Sequence, residues 1–117
     1  MEFSALEQAV IERILSKSVE GMDVVRKQFA AASVTERDYT GAGFYTTISV
    51  PRSVPAVPRN EELVKALRDG ITGVASSAPQ HAVLFLLWLE RGYLSCLEGA
   101  TTDGCWPDER SITLSDL

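Results

Sequence analysis

The longest apolar run of this chain lies within residues 82–98, whose sequence is AVLFLLWLERGYLSCLE. Ala82–Glu90 begins with eight successive apolar residues, which is typical of a central strand that is buried on both faces. Arg91 and Gly92 follow as a two-residue turn, so the chain is predicted to return as a second strand over Tyr93–Glu98. We therefore expect an antiparallel hairpin at the centre of a sheet, with both of its apolar faces covered.

A two-residue turn also determines the register of this hairpin. Counting back from the turn puts Glu98 opposite Phe85, on the same apolar face as Cys96. A carboxylate on such a face has a raised pKa unless a donor pairs with it. Arg37 or a backbone amide is the predicted donor, and a solvated Glu98 at a fraying strand end is the alternative.

The sequence before this hairpin predicts helices and a second hairpin. Ser4–Lys17 begins with the capping-box pattern Ser-Ala-Leu-Glu and continues with apolar residues at helical spacing. Residues 23–32 end in three successive alanines, so we predict a second helix capped by Asp23, with a strand as the alternative. A period of two over residues 34–50, interrupted by Thr-Gly-Ala-Gly at 40–43, predicts two strands and a turn.

The remaining segments complete the predicted fold. Residues 51–60 contain three prolines and are predicted to form an extended loop, followed by one or two helical turns over 61–68. Residues 71–77 and 111–114 are predicted to be further strands. Together these segments predict a single α+β domain over residues 1–117, with an N-terminal helix or helices packed on a mostly antiparallel sheet of five to six strands.

Composition and charge exclude several classes of protein. The 117 residues include 16 acidic and 11 basic side chains, which gives a net charge of −5, and the sequence has no cluster of Lys and Arg. Nucleic-acid binding needs such a basic cluster. The longest apolar run is far shorter than the ~20 residues of a membrane-spanning helix, and Met1-Glu2-Phe3 shows no secretory signal. We expect a cytoplasmic protein that binds neither nucleic acid nor membranes.

The cysteine and histidine content argues against a metal centre. The two cysteines, Cys96 and Cys105, lie nine residues apart, and the single histidine, His81, does not stand at zinc-site spacing from them. In a reducing compartment both cysteines are expected to be free thiols. The sequence also lacks a cofactor-binding fingerprint, so we expect no metal and no cofactor.

Polar and aromatic side chains gather around the predicted turn at 40–43. Such side chains beside a flexible turn are typical of a small-molecule or peptide site. The alternative is a cross-strand ion pair and an aromatic ladder on a solvated sheet face. Two further candidates come from the C-terminal part of the chain. The full set of candidate ligand-binding residues is Arg37, Asp38, Tyr39, Tyr45, Thr46, Glu98 and Trp106.

Three motifs of the chain resemble a family of small bacterial proteins of uncharacterised activity. They are RDYTGAGFYT at residues 37–46, Leu-Glu-Gly at 97–99 and Trp-Pro at 106–107. The family carries a Thr-Gly-x-Gly-Phe-aromatic-Thr hairpin, an apolar strand-turn-strand that ends in Leu-Glu-Gly, and a nearby Trp-Pro. The resemblance implies a stand-alone domain of the bacterial cytoplasm and transfers no activity. Ala100 stands where an aromatic residue is expected, which argues against a ligand-stacking role there.

Two functions from different classes follow from these observations. The first is a non-enzymatic binding or protein-interaction module, of an immunity type or a regulatory type, because a small acidic domain suits a partner with a basic surface. The alternative is a small enzyme or small-molecule-binding protein that uses a sheet-face pocket around Glu98, Arg37 and Tyr39. A concave pocket that contains Glu98 would favour the second function, and a flat apolar patch would favour the first.

The two apolar faces of Ala82–Glu90 also predict self-association. One helical layer covers one face, so we expect a homodimer that buries the other face, with Trp88 and Tyr93 as aromatic anchors at the contact. The alternative is a monomer in which the proline-rich loop at 51–60 folds back over that face.

Overall fold

A computed structural model describes residues 1–69, 71–75, 78–101 and 104–116 as an α+β fold, in agreement with the predicted class. The helices are α1 (Ala5–Leu15), α2 (Met22–Ala31) and α3 (Glu61–Arg68), with a short 3₁₀ turn at Glu109–Ser111. The strands are β1 (Ser33–Tyr39), β2 (Gly43–Ser49), β3 (Ile71–Ala75), β4 (Ala78–Glu90), β5 (Tyr93–Thr101) and β6 (Ile112–Asp116). None of the described helices is long and apolar enough to cross a membrane.

The described strands form one antiparallel sheet in the order β1-β2-β5-β4-β3-β6. The β4–β5 hairpin is therefore central, as its apolar sequence predicts. β4 begins at Ala78, four residues before the predicted start of the strand. This earlier start includes Pro79, a residue that usually argues against a strand interior.

The N-terminal helices begin at different kinds of cap. In α1 the predicted capping box is present, because the Ser4 side chain accepts from the Glu7 backbone and the Glu7 side chain accepts from the Ser4 backbone. The helix ends at Leu15, before the predicted Lys17. The predicted second helix is also confirmed, but its N-cap is Gly21 and not Asp23. Gly21 has a φ of 91°, which favours glycine, so the backbone conformation determines where α2 starts.

A β-bulge changes the predicted register of the central hairpin. Leu89 pairs with Leu94 as expected, but the register shifts between Trp88 and Leu89, so that Trp88 pairs with Cys96. Beyond the bulge Phe85 lies opposite Gly99, and the prediction that it faces Glu98 is wrong by one residue. One shifted residue exchanges the two faces of a strand. Glu98 consequently lies on the face opposite to Phe85.

Gly99 explains why the shifted register is the one that packs. A Cβ added at Gly99 would lie only 2.3 Å from Cε1 of Phe44, whose ring occupies this space. The rings of Phe44 and Phe85 lie 6.4 Å apart on the same face of the sheet. A residue without a side chain is therefore needed at the position between these two rings.

The helices pack on one face of the sheet and bury most of the core there. The largest buried apolar side chains are Phe44, Phe85, Ile11, Ile14, Met22, Leu63, Leu67, Ile71, Leu87, Leu94 and Leu97. We call the opposite side of the sheet the open face. Its side chains, as the strand registers give them, are Glu36, Asp38, Tyr45, Thr47, Thr72, Val74, Ala82, Leu84, Leu86, Trp88, Glu90, Tyr93, Cys96, Glu98, Ala100, Thr113 and Ser115.

Candidate functional site

The predicted ligand-binding residues lie on both sides of the sheet and do not form one site. Arg37 pairs with the buried Thr46, so both belong to the helix-covered face. Asp38 pairs with Tyr45, and Tyr45 pairs in turn with Glu98, so these three belong to the open face. The alternation of side chains along each strand makes this division unavoidable.

On the helix-covered face, Arg37 and Thr46 bind the carboxylate of Glu7, which is not among the predicted site residues. Glu7 is only 2% exposed. It accepts hydrogen bonds from Arg37 Nε at 2.7 Å, Arg37 Nη2 at 2.7 Å and Thr46 Oγ1 at 2.5 Å. The Ser4 backbone N–H donates to Glu7 at 2.7 Å, which completes the capping box.

The charge of Glu7 is stabilised by these donors. Burial alone would raise the pKa of the carboxyl, but the hydrogen bonds from Arg37, Thr46 and Ser4, together with the charge of Arg37, hold it below its usual value of 4.5. Arg37 also donates to the Glu2 carbonyl at 2.8 Å. The predicted pairing of Arg37 with Glu98 is therefore wrong, and Arg37 joins the N-terminal segment to the β1–β2 hairpin.

Tyr39 and Trp106 meet at the end of this hairpin. Trp106 Nε1 donates to Glu109 Oε2 at 2.9 Å, and the Tyr39 hydroxyl donates to the same oxygen at 3.4 Å. Burial and the neighbouring Glu109 charge raise the pKa of Tyr39. The Trp106 ring packs edge-on against Phe44 at 5.2 Å, and its backbone N–H donates to the Gly41 carbonyl at 2.7 Å. These contacts anchor the C-terminal segment on the turn.

The open face brings together Asp38, Tyr45 and Glu98. Strand pairing puts them in one row across the sheet in the order Asp38, Tyr45, Glu98 and Leu86. Neighbouring strands lie about 5 Å apart, so Asp38 and Glu98 flank Tyr45 on its two sides. Glu36 extends the acidic side of this face, opposite Thr47 in the next row.

Glu98 has a different partner from the predicted one. Trp88 Nε1 donates to Glu98 Oε1 at 3.1 Å. The guanidinium of Arg68, at the end of α3, stands over the Trp88 ring with 4.2 Å between its carbon and the ring centroid. In the same area, burial and then the Glu98 charge raise the pKa of the free Cys96 thiol. The Trp88 ring therefore lies under the Arg68 cation and donates a hydrogen bond to the Glu98 carboxylate.

Tyr93, the second predicted interface residue, is also covered by an arginine. The Arg52 guanidinium stands 3.9 Å from the centroid of the Tyr93 ring. Both residues line a cleft of about 360 Å³ where β2 and β5 diverge. Glu98 does not line this cleft. The cleft is also lined by Thr35, Thr47, Ile48, Ser49, Val50, Glu90, Arg91, Leu94 and Ser95.

The exposed apolar side chains of the open face differ from the predicted interface residues Trp88 and Tyr93. Tyr45 and Val74 are each 45% exposed and Leu84 is 36% exposed, although large apolar side chains are usually more buried. The period-two alternation of β2 places Tyr45 on this face, and that signal was present in the sequence. Val74 and Leu84 gave no such signal, because apolar residues flank both of them.

The described residues hold no group of three or more His, Cys, Asp or Glu side chains that could bind a metal ion. No protein-family model matches the chain, and neither the curated proteins nor the solved structures give a significant match. The site must therefore be interpreted from its own chemistry.

Proposed function

We propose that this protein is a non-enzymatic protein-interaction module and that the open face is its docking surface. The observation that carries the proposal is the exposure of Tyr45, Val74 and Leu84 on one continuous side of the sheet. Exposed apolar groups on one surface, next to polar ones, are typical of protein interaction sites. The expected setting is the bacterial cytoplasm, where an immunity-type or regulatory role suits a small acidic domain.

The geometry gives less support to an enzyme or a small-molecule pocket built from Glu98, Arg37 and Tyr39. Arg37 is held by Glu7 on the helix-covered face, and Glu98 lies on the open face. Side chains on opposite faces of a sheet cannot act on one small substrate. The residues that would carry that second function are therefore separated.

A second copy of the chain is one candidate occupant of the docking surface. The described molecule measures 41 × 28 × 19 Å, so a broad side can supply the roughly 800 Å² that each partner gives to a standard interface. Trp88 and Tyr93 are less suited to be its anchors than predicted, because Arg68 and Arg52 already cover their rings. Tyr45 and Leu84 are the better anchors. Sedimentation equilibrium at micromolar concentration tests this, because a dimer has twice the 12.8 kDa mass of the chain.

Photocrosslinking in the cells that produce the protein tests the proposed function. A photoreactive amino acid is introduced at Leu84, on the open face, and separately at Lys27, an exposed position of α2 on the other side. We expect covalent protein adducts from position 84 and few from position 27. Equal adducts from both positions, or none from position 84, would contradict a docking role for the open face.

A further inference from the structure

We propose that the partner docks a basic side chain, an arginine or a lysine, onto Tyr45 between Asp38 and Glu98. This inference rests on the proposed function and adds the chemistry of the partner: a protein segment with apolar side chains flanked by positive charge. Three features of the open face support it, namely its charge, an internal example of the same contact, and the poor fit of a second copy.

The first feature is the sign of the charge on this face. Glu36, Asp38, Glu90 and Glu98 are the charged side chains that the described strands contribute to the open face, and all four are acidic. Asp38 and Glu98 lie on β1 and β5, on either side of β2 and its exposed Tyr45. An acidic rim around an exposed ring is complementary to a positively charged group.

The second feature is that the open face already makes contacts of this kind within the chain. Arg68 stacks over Trp88, and Trp88 donates to Glu98. Tyr45 lies beside the same Glu98 on the neighbouring strand and has Asp38 on its other side. No described arginine or lysine stands over Tyr45. A guanidinium or ammonium group from a partner would complete a further stack of the same kind on Tyr45.

The third feature separates this partner from a second copy of the chain. A copy stacked on the open face would carry its own four carboxylates into the interface, where uncompensated charges are costly. The described open face offers Arg68 and Arg52 as cations, and both are already stacked on rings, Arg68 on Trp88 and Arg52 on Tyr93. A basic partner neutralises the carboxylates, whereas a second copy of the chain doubles their number in the interface. The charges of the face therefore favour a basic partner over self-association.

The test compares two double variants of equal charge by calorimetric titration. The probe is a short synthetic peptide that alternates arginine and leucine, and the reference peptide has glutamate in place of arginine. D38N/E98Q removes two carboxylates from the open face. E12Q/E20Q, the matched control, removes two exposed carboxylates near the helices, so both variants change the net charge from −5 to −3. We expect D38N/E98Q to weaken binding of the arginine peptide about tenfold and E12Q/E20Q to weaken it much less.

Tyr45 variants test the stacking itself. Y45F keeps the ring and should retain the affinity for the arginine peptide, whereas Y45A should lose it to a similar extent as D38N/E98Q. Equal losses in the two charge variants would overturn the inference, as would equal binding of the two peptides or a stable dimer that buries Tyr45. Photocrosslinking at Leu84 to a partner without a basic surface would also overturn it while leaving the proposed function intact. Absence of any adduct would contradict both.

Discussion

Two carboxylates on opposite sides of the same sheet differ in how many of their acceptor sites are occupied by hydrogen bonds within the fold. Glu7, on the helix-covered side, accepts hydrogen bonds from Arg37, Thr46 and Ser4 and is almost completely buried. Glu98, on the open face, is half-buried and accepts a hydrogen bond from the Trp88 ring. A carboxylate has about four acceptor sites, so Glu7 is saturated while Glu98 retains capacity.

This contrast separates polar groups that stabilise the fold from those that can bind something else. A buried charge that lost its partners would be costly, so the residues around Glu7 are constrained by stability. The residues around Glu98 and Tyr45 contribute little to the core and can serve recognition. Charged and aromatic residues in one hairpin therefore divide into two roles according to the face on which they lie.

The largest expected effect comes from breaking the Glu7 cluster. Glu7→Ala removes the carboxylate that accepts from the Arg37 guanidinium and from the buried Thr46 hydroxyl, and we expect the free energy of unfolding to fall by about 3–5 kcal/mol. Urea unfolding followed by circular dichroism measures this change. The matched control is Glu12→Ala on the exposed side of the same helix, for which we expect less than about 0.5 kcal/mol. A similar small loss for both variants would show that the Glu7 cluster is dispensable.

The next effect contrasts the two faces of a single strand. Leu87 is 1% exposed on the helix-covered face and Leu84 is 36% exposed on the open face. Leu87→Ala should lower the free energy of unfolding by about 3 kcal/mol, because it leaves a cavity in the core. Leu84→Ala should cost less than about 1 kcal/mol. Thermal unfolding of both variants measures the difference, and equal losses would mean that something covers the open face.

The division between the faces could be predicted from the sequence only in part. The capping-box pattern marks Glu7 as an N3 residue of α1, and the period of two in β2 separates Tyr45 from Thr46. The contact between Glu7 and Arg37 could not be predicted, because it joins residues thirty positions apart through tertiary packing. The same limit applies to Glu109, which meets Tyr39 across seventy positions.

The bulge at Ser95, opposite Trp88 and Leu89, is the other step that the sequence did not predict. Uniform apolar residues on both faces of β4 hide the change of register, since either register buries leucines. Gly99 was the available signal, because a glycine that follows a strand of large residues indicates a close approach by another group. The closely packed Phe44 ring is that group. Because of this shift in register, Glu98 lies on the open face and not on the face of Phe85, where the sequence predicted it.

The pH dependence of stability provides a smaller and more specific effect. The pKa of Glu7 is lower in the folded state than its usual value of 4.5, so its contribution is fully present above that pH and is lost as the pH falls through the folded-state value. Glu7→Gln lacks this titration. We therefore expect the difference in unfolding free energy between the wild type and Glu7→Gln to be constant near neutral pH and to narrow in acid. Urea unfolding of both proteins at neutral pH and in acid measures this difference in unfolding free energy. A difference that stays constant between the two conditions would contradict the lowered pKa of Glu7.

The smallest expected effect is that of Glu98→Gln. The predicted register and a pairing with Arg37 would make this substitution cost ~1 kcal/mol or more, since it would remove a charge-assisted hydrogen bond. In the structure, the Trp88 indole is the described donor to Glu98, and a glutamine carbonyl can accept the same bond. We therefore expect a change of less than about 0.5 kcal/mol in thermal unfolding at neutral pH. Trp88→Phe is the informative companion, because it removes the donor and leaves the ring under Arg68. If Glu98→Gln destabilised the fold as strongly as Glu7→Ala, Glu98 would be a second structural carboxylate, and the open face would lose the group on which its proposed recognition of a basic partner depends.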